Sequence, residues 1–167
     1  MFCYDIRNEE GGLYYAETIA KYIINWYHDC NIHIGSGMSP ITNWRLNKLL
    51  YFLQGEYLNK TGKRFLKDEF YAWEYGPVIP GVYYTYQMYA SSELPRQNIR
   101  YWIDNKDRLF IEKLCKEYCR LTTFDLLEIS QAQDPWKYTV DVFGKKSIIA
   151  YGCFENYFQK RTPYFAI

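Results

Sequence analysis

The sequence predicts a mainly α, compact single-domain helical bundle of about six helices, with at most a small β-hairpin. Three observations carry that expectation. Apolar residues recur at three- and four-residue steps in successive windows, which is the pattern of amphipathic helices. Start and stop signals bracket those windows, among them Thr61-Gly62-Lys63, the Thr122/Asp125 pair and Asp134-Pro135. Strand-like alternation is confined to residues 65–73 and to a short stretch at Ile99, Tyr101 and Ile103. With 167 residues and no internal repeat or low-complexity linker, the chain is on the scale of one domain with a core of its own.

Residues 1–13 are polar, end in Gly11-Gly12 and read as a lead-in to a helical domain over 14–167. Tyr15, Ile19, Tyr22, Ile23, Trp26 and Tyr27 then mark a first helix of about four turns. Asn43 is a plausible cap for a second helix whose apolar face is Leu46, Leu49, Leu50, Leu53, Tyr57 and Leu58. Gly55 inside it costs on the order of 1 kcal/mol relative to alanine, which implies close approach of another backbone. Gly62 stops the helix. Residues 65–73 form one extended strand leading into a Gly76-Pro77 turn, and Pro80 suits the first turn of a third helix with Val82, Tyr83, Tyr86 and Ala90 inward. A fourth helix turns Phe110, Ile111, Leu114, Cys115 and Tyr118 to one side. Thr122 and Asp125 open a fifth with a capping box, and Asp134, as cap, with Pro135 opens another turn. Ser147 begins a last helix through Ala150, Tyr151, Phe154, Tyr157 and Phe158.

Composition narrows the function. Aromatics make up 20% of the chain, with 19 tyrosines, a residue enriched where proteins meet; a compositional bias of the source genome would produce the same count. Twenty basic residues stand against 19 acidic ones, for a net charge of +1, which argues against duplex DNA, a ligand bound by neutralising phosphates. The basic cluster Lys60, Lys63, Arg64 and Lys67 is offset by Asp68 and Glu69 and reads as solvated surface. The opening residues are no signal peptide, and no apolar run is long enough for a membrane span. Five scattered cysteines without Cys-x-x-Cys fit a reduced, cytoplasmic chain, with Cys115 and Cys119 as small buried hydrophobes.

Catalytic signatures are absent from the sequence. Gly35-Ser36-Gly37 lacks the spacing of a nucleophile elbow, and no phosphate-cradling glycine loop is present. His28, Cys30 and His33 lack a nearby fourth metal ligand. Acid–base chemistry would fall to Glu74 and Asp134, if burial among aromatics perturbed them. The plainer reading makes Glu74 a turn residue and Asp134 a helix cap, so an enzyme is not expected.

The segment Ala72-Trp73-Glu74-Tyr75-Gly76-Pro77-Val78-Ile79-Pro80 is the most informative one. Two prolines and a glycine fix its backbone, and Trp73 and Tyr75, two apart, point the same way if extended. Trp73 and Trp136 weigh toward the core, with the indole N–H paired to a backbone carbonyl; Tyr75, before the Gly-Pro pair, is balanced between core and interface. Together with Tyr51-Phe52-Leu53-Gln54-Gly55, the acidic pair Asp68-Glu69 and the later Asp134-Pro135-Trp136, this order resembles the Panacea, or pan-antitoxin, family of phage-associated and SocA-like proteins, over about residues 14–160. In that family a histidine usually stands where this chain has Gln131, and the loop at 29–41 is longer here. The resemblance implies an antitoxin that neutralises a cognate toxin by complex formation, with one type acting as adaptor to a AAA+ protease, and no cofactor. A phage- or mobile-element-encoded inhibitor of a host defence nuclease is the alternative. The expected partner-binding residues are Trp73, Glu74, Tyr75, Gly76, Pro77, Tyr83, Gln131, Asp134 and Trp136.

Overall fold

The computed structural model describes residues 12–34, 38–98 and 102–162. The lead-in, Cys3, Gly35-Ser36-Gly37, Ile99 and Tyr101 lie outside them, apart from Gly12 and Leu13. Among the described residues the chain is mainly helical, as expected. Its elements are α1 (Ala16–Ile34), α2 (Asn43–Thr61), β1 (Phe70–Trp73), β2 (Gly76–Val78), α3 (Pro80–Tyr86) with a 3₁₀ turn at Gln87–Tyr89, α4 (Asn105–Tyr118), α5 (Thr123–Ala132), α6 (Asp134–Phe143), β3 (Ile148–Ile149) and α7 (Tyr151–Phe158). The strands form one antiparallel sheet in the order β2-β1-β3, so a two-residue third strand joins the expected hairpin.

α2 is the axis of the molecule. The predicted apolar stripe is buried, but so is every other side of the helix except at Trp44, from Asn43 to Leu58. Five helices and the hairpin surround it. Phe52 stacks on Tyr118 of α4 at 4.8 Å, while Tyr51 meets Phe70, Phe154 and Phe158 within 6 Å. Burying Arg45, Asn47, Lys48, Gln54 and Glu56 in this environment is costly unless each finds a partner. Arg45 reaches the C-terminal end of α4, donating to the carbonyls of Tyr118, Cys119 and Leu121 at 3.3, 3.4 and 2.7 Å. Gln54 accepts the Leu66 N–H at 2.8 Å. Glu56 receives the Tyr118 hydroxyl at 3.3 Å and pairs with Arg161.

These distant demands explain where the local expectations give way. Asn43 is not the cap of α2, because its amide is drawn to the Tyr83 carbonyl at 2.9 Å; Thr42, extended, caps the Arg45 N–H instead. The strand expected over 65–73 is broken: Leu66 bridges Tyr14, and Asp68 turns aside to accept the Ala16 N–H at 2.7 Å. Ser147 does not open α7, since its carbonyl accepts the Ala72 N–H at 2.9 Å, beside the β1–β3 pairing. Asp134 is the first residue of α6 and makes no capping bond, Gln133 taking the cap position. Tyr15, Ala90 and Ala150 are exposed rather than inward. Arg64 folds back on the carbonyls of Leu66, Lys67 and Asp68 and on Glu69, leaving the basic cluster. Three expected signals hold in place: Gly62 caps α2 at φ 70°, Thr122 and Asp125 form the capping box of α5, and Pro135 sits in the first turn of α6.

Gly55 answers to a ring, not to a backbone. A Cβ there would lie 2.2 Å from the Phe158 ring, and that ring is fully buried and stacked on Phe154 at 6.0 Å. Gly55→Ala gains about 1 kcal/mol of helix propensity but forces an overpacked core, which costs roughly 1–3 kcal/mol. The expected net result is a loss of about 1 kcal/mol, seen as a lower midpoint in urea unfolding. A higher midpoint would show that Phe158 can step aside.

Candidate functional site

β1 and β2 pair with Trp73 opposite Gly76, Ala72 opposite Pro77 and Tyr71 opposite Val78. The connection is therefore the two-residue turn Glu74-Tyr75, a tight hairpin. Gly76-Pro77 is not the turn but the start of the returning strand. Gly76 is required there twice over: its φ is 96°, and a Cβ would meet Lys48 Nζ at 2.9 Å and Ser130 Oγ at 3.0 Å.

The turn carries the end of a continuous aromatic array. Tyr75 packs edge-on to Trp44 at 5.7 Å, Trp44 meets Tyr83 at 5.3 Å, and Tyr83 meets Trp73 at 5.0 Å. Tyr84 closes the chain against Trp73 at 5.8 Å and Tyr83 at 5.7 Å. Trp44, Trp73 and Tyr83 are half-buried, whereas Tyr75 and Tyr84 are 56% and 55% exposed. Trp73 and Tyr75 do not lie on one extended segment, yet α3 and α2 gather them into this one surface.

Three elements hold the hairpin still. From α5, the Gln131 side-chain amide donates to the Glu74 carbonyl at 2.8 Å. From α6, the Trp136 indole N–H donates to the Trp73 carbonyl at 2.9 Å. From α2, the buried Lys48 amine donates to the Pro77 carbonyl at 2.9 Å, and Asn47 Oδ1 accepts the Ile79 N–H at 3.0 Å. Burial lowers the Lys48 pKa to about 7 from the usual 10.5. At the tip, exposed Glu74 forms an ion pair with Lys145 at 3.1 Å.

Eight of the nine residues expected to contact a partner thus belong to one unit. Trp73, Tyr75 and Tyr83 supply its rings, Glu74 its charge, Gly76 and Pro77 its returning strand, and Gln131 and Trp136 its ties. Asp134 stands apart, lining the groove between α6 and α7 with Lys137, Asp141, Cys153 and Tyr157. Glu74 and Asp134 are both exposed, so the burial on which an acid–base role would rest is not present. His28 Nε2 lies 2.8 Å from the Leu94 carbonyl, and among the described residues no group of three His, Cys, Asp or Glu side chains could hold a metal. Sequence reading missed Trp44, Lys48 and Tyr84. The one available signal was the four-residue spacing of Trp44 and Lys48, which stacks them on one side of a helix.

With this geometry in hand, known proteins add the family. The profile of the antitoxin SocA-like Panacea domain matches residues 46–137, just over half of the chain and all of the hairpin site except Trp44 and Lys145. The chain belongs to the antitoxin SocA-like Panacea domain family. Antitoxin SocA of Caulobacter vibrioides (strain NA1000 / CB15N) is 48% identical over 44 residues, 26% of this chain and 23% of that protein. The chain therefore aligns with less than a quarter of the length of this curated relative. No solved structure matches the chain. No helix among the described residues of this Panacea domain is long and apolar enough to cross a membrane.

Proposed function

We propose that this chain is an antitoxin that neutralises a cognate toxin by direct complex formation, and that the aromatic hairpin is its docking surface. The observation that carries the reading is the run of five touching rings, two of them more than half exposed, contributed by the hairpin, α2 and α3, with the hairpin tied to three helices. Tyr and Trp supply large contact area with little side-chain freedom to lose, and such residues dominate binding hot spots. Holding them rigid in the free protein lowers the ordering cost on association. Glu74 and Lys145 provide a charged rim, where polar contacts set orientation more than affinity. Inhibition by occupancy requires no bond to be made or broken.

Tyr75→Ala tests the reading. Its ring is exposed and makes one aromatic contact, so the melting temperature should stay within about 2 °C of wild type, as for most surface changes. Affinity for the toxin encoded beside it should fall by roughly 30-fold or more, the loss typical of a hot spot. Growth rescue and co-purification on co-expression report it. Full rescue by the variant would remove the hairpin from the interface, and repeating the rescue without the host AAA+ protease separates blocking from delivery.

A further inference from the structure

Lys48 is the least expected residue of the hairpin site. Its side chain is fully buried on α2; in the charged form its nitrogen has three N–H bonds to give, and the Pro77 carbonyl takes one of them. The Trp44 ring lies 5.6 Å from the nitrogen, and Gly76 and Ser130 close around it. Among the described residues no carboxylate pairs with its charge. On α2 itself, Arg45 is turned to the end of α4 and Tyr51 donates to Gln133. From the hairpin, Glu74 reaches outward to Lys145 and Tyr75 rests on Trp44. From α3, Tyr83 packs on Trp44. From α5, the Ser130 hydroxyl donates to Leu127, and Glu128 is exposed, as is Asp134 of α6. A buried cation without a counter-charge is costly, and a lysine relieves that cost by releasing its proton.

We propose that Lys48 is a positioning residue for the docking face: its amine, bonded to Pro77 and facing no opposite charge, sets through its proton how firmly the hairpin is seated on α2. Neutral, the amine donates to the Pro77 carbonyl at no charge-burial cost, and the returning strand stays down. Protonated, it carries a full charge with a single acceptor and is drawn toward water past Gly76, which opens the returning strand, and Trp44, which packs on Tyr75. Burial alone lowers its pKa, to about 7, so the exchange falls near neutrality, and the seated form is favoured on the alkaline side. The inference rests on the docking role proposed for the hairpin, but its test uses the unbound protein. A failure here leaves Tyr75→Ala free to judge the interface itself.

The test is a pH titration from 5 to 9 by nuclear magnetic resonance, following the amides of the Glu74-Tyr75 turn and of Gly76, the Trp44 and Trp73 indoles, and the Cε carbons of labelled lysines. One lysine Cε should titrate with a midpoint between 6 and 8, and the turn signals should move with it. In Lys48→Met, which keeps length and burial, both transitions should vanish while the melting temperature holds or rises. Turn signals that titrate unchanged in Lys48→Met, or a wild-type protein in which no lysine Cε shows a midpoint between 6 and 8, would overturn the assignment. The second outcome needs no variant, so a folding failure of Lys48→Met does not shield the idea.

Discussion

Arg45→Ala is expected to destabilise the protein by about 4 kcal/mol, a large share of the stability of a typical domain. The side chain is fully buried and donates to three carbonyls, to the Tyr27 hydroxyl at 3.3 Å and to Thr123 Oγ1 at 3.4 Å. Those carbonyls belong to the end of α4 and the link to α5, where helix geometry leaves acceptors open. The guanidinium is thus a clamp between the axis of the fold and a helix terminus. Truncation opens a cavity and strips several buried acceptors at once, and each such loss costs roughly 1–3 kcal/mol. Arg45→Lys keeps the charge but has no fork to span Tyr118, Cys119 and Leu121, so about half of the loss should remain. Urea unfolding followed by circular dichroism measures both; a change below about 1 kcal/mol for the alanine variant would contradict the clamp.

Trp136→Ala should cost about 3 kcal/mol, the lower end of the range for truncating a buried indole, because the ring is half-buried against the core. The effect should also reach the site. The indole N–H is the tie from α6 to the hairpin at Trp73, so the turn loses one of its three anchors. Trp136→Phe separates the two contributions: it retains most of the ring, removes the donor, and should cost about 1 kcal/mol while weakening binding at the proposed docking face. Thermal melting and co-purification of the two variants read this out. An unchanged melting temperature for the alanine variant would mean that the ring is a surface anchor and not part of the packing.

The helices, and the rings that fill the space between them, were legible from spacing and local chemistry. Phe110, Ile111, Leu114, Cys115 and Tyr118 are all buried on α4 as their periodicity implies. Caps that act within four residues, at Gly62 and Thr122, were legible for the same reason. What stayed hidden is the polar half of α2. Asn43 reads as a cap, and nothing local marks Asn47, Lys48, Gln54 and Glu56 as buried, yet each of the five has a partner 12 to 105 residues away along the chain. No local pattern encodes such pairs. The hairpin was legible as a rigid element, but not its turn: Gly76-Pro77 reads as the bend until the register puts Pro77 opposite Ala72. Trp44 was missed because a lone tryptophan at a helix start has no sequence feature that aims it at Tyr75.

The stretch shared with relatives, residues 46–137, is not a free-standing piece of this molecule. Its longest helix is lidded on one flank by Phe154 and Phe158 and locked near its far end by Arg161, while α1 walls it on another. All of these come from outside the shared stretch. A chimera that transplants the recognisable segment alone would carry the aromatic hairpin but leave its supporting helix half naked, so grafts between members must exchange the flanks as well.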